Sequence, residues 1–273
     1  MHLKDLAGVD LGSHFVTYGA RDAILYALAV GAPADRLDLV YERDLRVLPT
    51  YACALGLWAV EKAGDLGAYD RKRSLHAAQR LSMHLPMPRE ATLAMRGKVE
   101  SVWDKGKASI VNIAVECEIF TAAYTIFLPG LGNWGGSPGA GPDAAPAPEG
   151  AIWRSTSKTS PQLAALYRLT GDLHPIHVDP EVARANGLER PILHGLCTLG
   201  IAARVLADAA GAHPCDLRMI AARLSAPVMP GDAIVVSAQS LSDELLFEAS
   251  ARDRTVLKDG RAKFLPRVGG ENH

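Results

Sequence analysis

GLCTLGIAARVLADAA, Gly195 to Ala210, is the stretch from which the fold is read. Leu196, Leu199, Ile201, Ala202, Val205 and Leu206 cover most of a helix circumference, so this helix is buried on more than one face. Downstream, from about Leu217 to Leu265, apolar and polar residues alternate in runs separated by Pro230-Gly231-Asp232, Ser242-Asp243 and Asp259-Gly260, which reads as an antiparallel sheet. A helix needing cover on several sides, followed by strands with one apolar face, predicts an α+β unit in which the sheet wraps around the helix.

Upstream, Ser160-Pro161 supplies an N-cap and a proline for a helix through Gln162 to Leu169, ended by Gly171. Asp179-Pro180-Glu181 starts a second short helix by the same logic, and Asn186-Gly187 stops it. The first half repeats the plan, with Ala20 to Gly31 as its helix and strands near His76 to Leu85, Thr92 to Trp103, Lys107 to Glu116 and Ile119 to Leu128. Between the halves, Pro129 to Gly150 is too rich in Gly, Pro and Ala to bury a core and reads as a linker. The organisation is therefore a unit over 1–128, a linker over 129–150 and a second unit over 151–273, with the two sheets joined side by side.

Composition narrows the function classes. The 273 residues are 48% hydrophobic and 22% charged, which is globular rather than disordered. Lys plus Arg number 29 against 30 for Asp plus Glu, so a net charge of −1 gives no global attraction to nucleic acid or an anionic membrane. The longest apolar run, Ala23 to Val30, is far below the roughly 20 residues that span a bilayer. Met1 to Gly12 has no apolar core of a signal peptide, and Glu271-Asn272-His273 is not a peroxisomal or retention signal. Cys53, Cys117, Cys197 and Cys215 form no C-x-x-C pair, which fits a reduced, cytoplasmic setting.

The chemistry is concentrated in LYRLTGDLHPIHVDP, Leu166 to Pro180, and RPILHGLCTLG, Arg190 to Gly200. Pro175 keeps the stretch from Asp172 to His177 out of regular helix and biases His174 toward extended backbone, so two side chains five apart can converge on one water. A carboxylate and an imidazole within about 2.6 to 3.2 Å of that water can orient it and move its proton. Gly195 begins the apolar helix, where free N–H groups and the positive end of the dipole favour growing negative charge. His174 and His177 also spell H-x-x-H, but the intervening proline removes the helical face such metal pairs use, and no metal is expected. Gly130-Leu131-Gly132-Asn133-Trp134-Gly135 satisfies G-x-G-x-x-G, yet no helix is predicted after it, which excludes a dinucleotide fingerprint.

Gly171-Asp172, Pro175, His177 and Asp179-Pro180 resemble the signature of MaoC-like dehydratases and type 2, R-specific enoyl-CoA hydratases, roughly G-D-x-N-P-x-H-x-D-P. The likeness extends through His194-Gly195-Leu196, ARDAILYALAVG at Ala20, VLPT at Val47 and DKGK at Asp104, so it covers nearly the whole chain. It implies a double hot-dog fold and reversible hydration of trans-2-enoyl-CoA to (3R)-3-hydroxyacyl-CoA, a hydro-lyase reaction of fatty acid metabolism that uses no cofactor. It also implies a homodimer. Asp172 and His177 are the implied acid–base pair, and Gly195 N–H the implied donor to the thioester oxygen. Leu173, His174, Pro175, Ile176, His194 and Leu224 are the implied substrate neighbours, with His76, Ala77 and Lys105 contacting acyl-CoA from the first half. Three positions depart from the pattern: His174 stands where Asn is usual, and Ala77 and Ala78 replace Gly and Glu of a His-Gly-Glu-Gln segment. Because fold alone does not fix function, an acyl-CoA thioesterase and a non-catalytic acyl-CoA binder are the rival readings.

Overall fold

Strands that alternate in burial, such as β3, β5 and β9, have one face to hide, and among the described residues ten strands join in one antiparallel sheet. A computed structural model describes residues 1–139, 141 and 149–266. The first half contains β1 (Asp10–Tyr18), α1 (Ala20–Ala29), α2 (Leu37–Val40), α3 (Tyr51–Leu55), α4 (Trp58–Asp65), β2 (Leu75–Met83), β3 (Ala91–Asp104), β4 (Ala108–Glu116) and β5 (Phe120–Pro129). The second half contains β6 (Glu149–Lys158), α5 (Leu163–Tyr167), α6 (Pro180–Ala185), α7 (Gly195–Ala209), β7 (Leu217–Leu224), β8 (Ala233–Leu241), β9 (Glu244–Ala251) and β10 (Arg254–Phe264).

The strand order is β1-β3-β4-β5-β2-β7-β10-β9-β8-β6. Matching β1 to β6, β2 to β7 and so on makes the order read identically inward from either edge, the mark of a repeated unit. The repeats meet at β2 and β7, paired antiparallel from Ala78 opposite Arg223 to Ser82 opposite Met219. Away from the sheet, Arg36 to His213 at 2.9 Å, His213 against Asp38, and Arg46 to Asp216 at 2.6 Å tie the two repeats again.

In the second half α7 packs on β6, β7, β8 and β10, as its all-round apolar character requires. In the first half the wrapped helix is not the one expected at 20–31. Instead α4 packs on β1, β3 and β4 and α3 on β5, whereas α1 lies outside the sheet against α5. The 51–65 stretch escapes a sequence reading because its helix is interrupted at Gly56, where an added Cβ would lie 2.5 Å from the Tyr124 hydroxyl that donates to Cys53 O. A second correction concerns Asp259-Gly260. This pair is a bulge inside β10, where Gly260 lies so close to the Phe247 carbonyl that a Cβ would approach it to 2.4 Å. The β9–β10 reversal is made by Arg252-Asp253, both with positive φ. The edge strands β1 and β6 also went unread.

Residues 130–139 of the expected linker turn back onto the β3–β4 turn. The Asp104 carboxylate accepts from the N–H groups of Gly106, Asn133, Trp134 and Gly135 at 2.8–3.0 Å, which holds its pKa below the usual carboxylate value. Gly132 is needed there because a Cβ would meet the Gly106 carbonyl at 2.1 Å. The G-x-G-x-x-G glycines thus serve a turn clasp. Of the rest of the expected linker, Pro129 ends β5 and Glu149 and Gly150 begin β6, while residues 140 and 142–148, like the terminal Glu271-Asn272-His273, lie outside the described residues. No helix among the described residues is long and apolar enough to cross a membrane.

Candidate active site

Between α5 and α6 the chain makes three tight turns, and each places a polar atom. A single 3-10 turn, Arg168–Thr170, ends at Gly171, whose φ of 138° is open to glycine alone. Asp172 follows, and its Oδ1 accepts from His174 N at 3.2 Å, leaving Oδ2 free. His174 is extended at ψ 127° ahead of Pro175, and its Nδ1 accepts from Ile176 N at 3.2 Å, capping a second 3-10 turn, Pro175–His177. Asp179 then caps α6 by accepting from Glu181 N at 2.8 Å.

The turn at Pro175 brings His177 back over Asp172, with Nε2 3.9 Å from Oδ2. His177 Nδ1 donates to Ile192 O at 2.8 Å, so Nε2 carries the lone pair and faces the carboxylate. Both side chains are largely buried, 11% exposed for His177 and 17% for Asp172. Burial raises the Asp172 pKa, opposed by the His174 N–H, His174 and Arg168. Burial lowers His177 to about 4, opposed by the hydrogen bond to Ile192. A neutral imidazole and a carboxylate therefore present two acceptors to one point.

His194 N-caps α7 and is wholly buried. Its Nε2 donates to the Asp172 carbonyl at 3.2 Å, and its ring stacks on His177 with centroids 3.6 Å apart and planes 24° from parallel. The expectation that His194 contacts substrate meets a side chain with no exposed surface, stacked against the His177 ring. Gly195 begins α7, so its N–H has no intrahelical acceptor. Leu224, at the end of β7, lies directly against it, and a Cβ on Gly195 would be 1.9 Å from Leu224 Cδ2.

Leu173 (57% exposed), Pro175 and the half-buried Ile176 belong to the same turn as the pair and form its rim. His76, Ala77 and Lys105 have their contacts elsewhere. Ala77 is the extra residue of a bulge in β2, across which His76 Nε2 donates to Ala78 O at 3.0 Å. The Lys105 ammonium donates to Pro138 O and lies 4.9 Å over the Trp103 ring.

Two neighbours were not read from the sequence. Glu61 on α4 feels the charge of Asp172, and Arg71, which bonds Asp65 at 2.7 Å and approaches Glu61 to 3.5 Å, bears on His174. Both come from the first half, on or beside the helix that escaped the reading. Tyr167, inside the quoted motif, underlies His194 at 4.8 Å.

Asp172, His177 and His194 bring one donor atom each within 4.8 Å of one another, which raises the question of a metal. The rings do not fit one. An ion bound to imidazole lies in the ring plane, whereas one shared between faces stacked this closely would sit about 1.8 Å out of each plane. His177 Nδ1 and His194 Nε2 are moreover already used on carbonyls, and His174 Nδ1 on its own turn.

Fold and site together place two largely buried acceptors, Asp172 Oδ2 and His177 Nε2, beside the start of α7 in one half of a double hot-dog. Comparison with known proteins gives the family. Residues 144–260 match the MaoC like domain, and residues 16–128 match the MFE-2 hydratase 2 N-terminal domain. The chain is 31% identical to a protein of Arabidopsis thaliana named enoyl-CoA hydratase 2, peroxisomal, over 88% of both chains. It is 32% identical to 3-hydroxyacyl-thioester dehydratase Y of Mycobacterium tuberculosis, over 90% of this chain and 92% of that one. Its structure superposes on that of a MaoC-like dehydratase from Phytophthora capsici with a TM-score of 0.87 at 26% identity, covering 98% of this chain and 99% of the other. The chain belongs to the MaoC-like dehydratase and hydratase 2 family.

Proposed function

We propose that this chain adds water reversibly across the C2–C3 double bond of a trans-2-enoyl-CoA, giving the (3R)-3-hydroxyacyl-CoA. The observation that carries the reading is the 3.9 Å gap between His177 Nε2 and Asp172 Oδ2, both acceptors. One water donating two ordinary hydrogen bonds spans acceptors about 4.4 Å apart, so a slightly compressed water fits with its lone pairs turned outward. As that oxygen bonds to C3, His177 Nε2 takes a proton and the double-bond electrons move toward the thioester. The Gly195 N–H at the tip of α7 faces the charge that grows on the thioester oxygen. The pair then returns a proton to C2, so that H and OH have been added in sum and no cofactor is consumed.

Leu173, Pro175, Ile176 and Leu224 supply the apolar wall beside the reacting carbons, and His174 holds the turn. His76 and Ala77 shape the first-half side through the β2 bulge, and Lys105 takes part in acyl-CoA binding only if it leaves Pro138. A homodimer is the family expectation and part of the same proposal. Four unpaired cysteines support a cytoplasmic setting, although relatives of this chain carry peroxisomal names. The test is to follow the conjugated enoyl absorbance of crotonyl-CoA and of longer enoyl-CoA thioesters. Loss of absorbance with formation of the 3R alcohol supports hydration, whereas release of free thiol identifies a thioesterase, and binding without turnover a non-catalytic binder.

A further inference from the structure

The buried imidazole of His194 belongs to no step above, yet it touches both members of the pair. We infer that His194 is a positioning residue, a neutral base-plate that fixes the plane of the His177 ring by stacking and the backbone of Asp172 by a hydrogen bond. This rests on the proposed hydration reading for its kinetic consequences, but its geometric content stands alone.

Three contacts carry the inference. The 3.6 Å stack sets the tilt of the His177 ring, while the 2.8 Å bond from Nδ1 to Ile192 O sets its rotation. Together they leave Nε2 one direction to face. The 3.2 Å bond from His194 Nε2 to the Asp172 carbonyl fixes the main chain from which the carboxylate projects. Because that nitrogen donates, the other nitrogen of the neutral ring, Nδ1, bears a lone pair. It is buried without a hydrogen-bond partner among the described residues. An unsatisfied acceptor of this kind is costly and persists where the surroundings over-determine the ring. Those surroundings are aromatic and cross the two repeats: Tyr167 lies 4.8 Å below His194, and Tyr26 of α1 packs 6.0 Å from Tyr167. The first half thus supports the pair from behind.

The charged and titratable groups around the stack are Tyr167, Arg168, Asp172 and His174 from its own segment, Cys197 from α7, Tyr26 from α1, and Glu61 and Arg71 from the first half. A second imidazolium against His177 would repel a proton on it, so the neutral stack keeps His177 a proton acceptor.

Two substitutions separate the contacts: His194→Phe keeps the stack and loses the bond to Asp172, and His194→Gln keeps a donor and loses the stack. Each is expected to lower kcat by about 10- to 100-fold with little change in KM, since small misplacements of reacting groups act at that scale. In His194→Gln the acid limb of the kcat profile should also move up toward the ordinary imidazole range. Unchanged kcat and an unmoved pH profile in folded variants overturn the proposal. If neither variant folds, the imidazole ¹⁵N shifts of the intact chain decide. Nε2–H on His194 and Nδ1–H on His177 are expected, with His194 silent through the range where free imidazole titrates. A His177 bearing Nε2–H, or a titrating His194, overturns it. Should the chain show no hydration at all, the functional reading fails while the ¹⁵N result still judges the base-plate.

Discussion

The two repeats share one strand plan but differ at the tip of the wrapped helix. In the second repeat, Leu193-His194-Gly195 leads into an unbroken α7, and the irregular segment 168–179 lies across its start. In the first repeat Leu48-Pro49-Thr50 leads into α3, the helix breaks at Gly56, and the preceding stretch carries α1 and α2 and no G-D-x-x-P-x-H segment. A helix tip therefore does not by itself bring an Asp–His pair with it. What distinguishes the second repeat is a set of turns that spends Asp172 Oδ1 and His177 Nδ1 on the backbone and so leaves Oδ2 and Nε2 to face each other.

That contrast is broken most directly at Asp172. Asp172→Asn is expected to fold and to lose about 10²- to 10⁴-fold in kcat, measured by enoyl-CoA hydration against thermal unfolding of the same sample. Wild-type turnover from this variant would remove the distinction between the repeats. The next largest effect is expected at Gly195→Ala, where the new Cβ would fall 1.9 Å from Leu224 Cδ2 and displace an N–H whose loss costs about 10²- to 10³-fold. Adding Leu224→Ala relieves the clash and should recover part of the rate; a double variant no better than the single one would argue against the contact as the cause.

Acid sharpens the comparison differently. His177 and His194 are held neutral, with pKa values pushed down by burial to about 4 and about 2. Below the ordinary imidazole value the unfolded chain binds protons that the folded chain refuses. Stability therefore falls as pH drops from 6.5 toward 4, by about 3 kcal/mol for a ring shifted as far as His177. Asp172 acts with the opposite sign, because its raised pKa favours the folded state at low pH. Urea unfolding at pH 7 and pH 5 should show the net loss, and equal midpoints would mean the rings are solvated.

Smaller still is Asp104→Asn, which weakens the clasp on residues 130–139 and should lower Tm by a few degrees with kcat unchanged. Lys105→Met is the smallest: its ammonium already serves Pro138 and Trp103, and KM is expected to move by no more than about twofold, as for other exposed charge contacts. A tenfold rise in KM would return Lys105 to the acyl-CoA contacts.

Much of this was legible because local chemistry and tertiary role coincide. The all-round apolar stripe of α7 and the Pro175 restriction are local facts, and both predict what the chain does. The Asp–His convergence begins with the local turns at Gly171, His174 and Pro175, although Ile192 and His194 complete it from outside the segment. What escaped depends on distant partners. Gly260 looks like a turn until Phe247 is placed across from it, and α3–α4 reads as no helix until Tyr124 is seen to require Gly56. His194 is a substrate neighbour only by the family resemblance, and its enclosure by Tyr167 and His177 exists only in the folded chain. Glu61 and Arg71 had no signal, since their relation to Asp172 exists only once the repeats pack.

The β2–β7 seam bears on how such a chain is inherited and engineered. A strand pair at the middle of the sheet makes the repeats inseparable folding partners: either one expressed alone would present a full-length raw edge, open to its own copies. The first repeat thus covers that edge and, through Tyr26, packs behind the Asp–His pair. Attempts to shorten the protein to its second repeat should yield aggregates unless a β2 mimic is supplied.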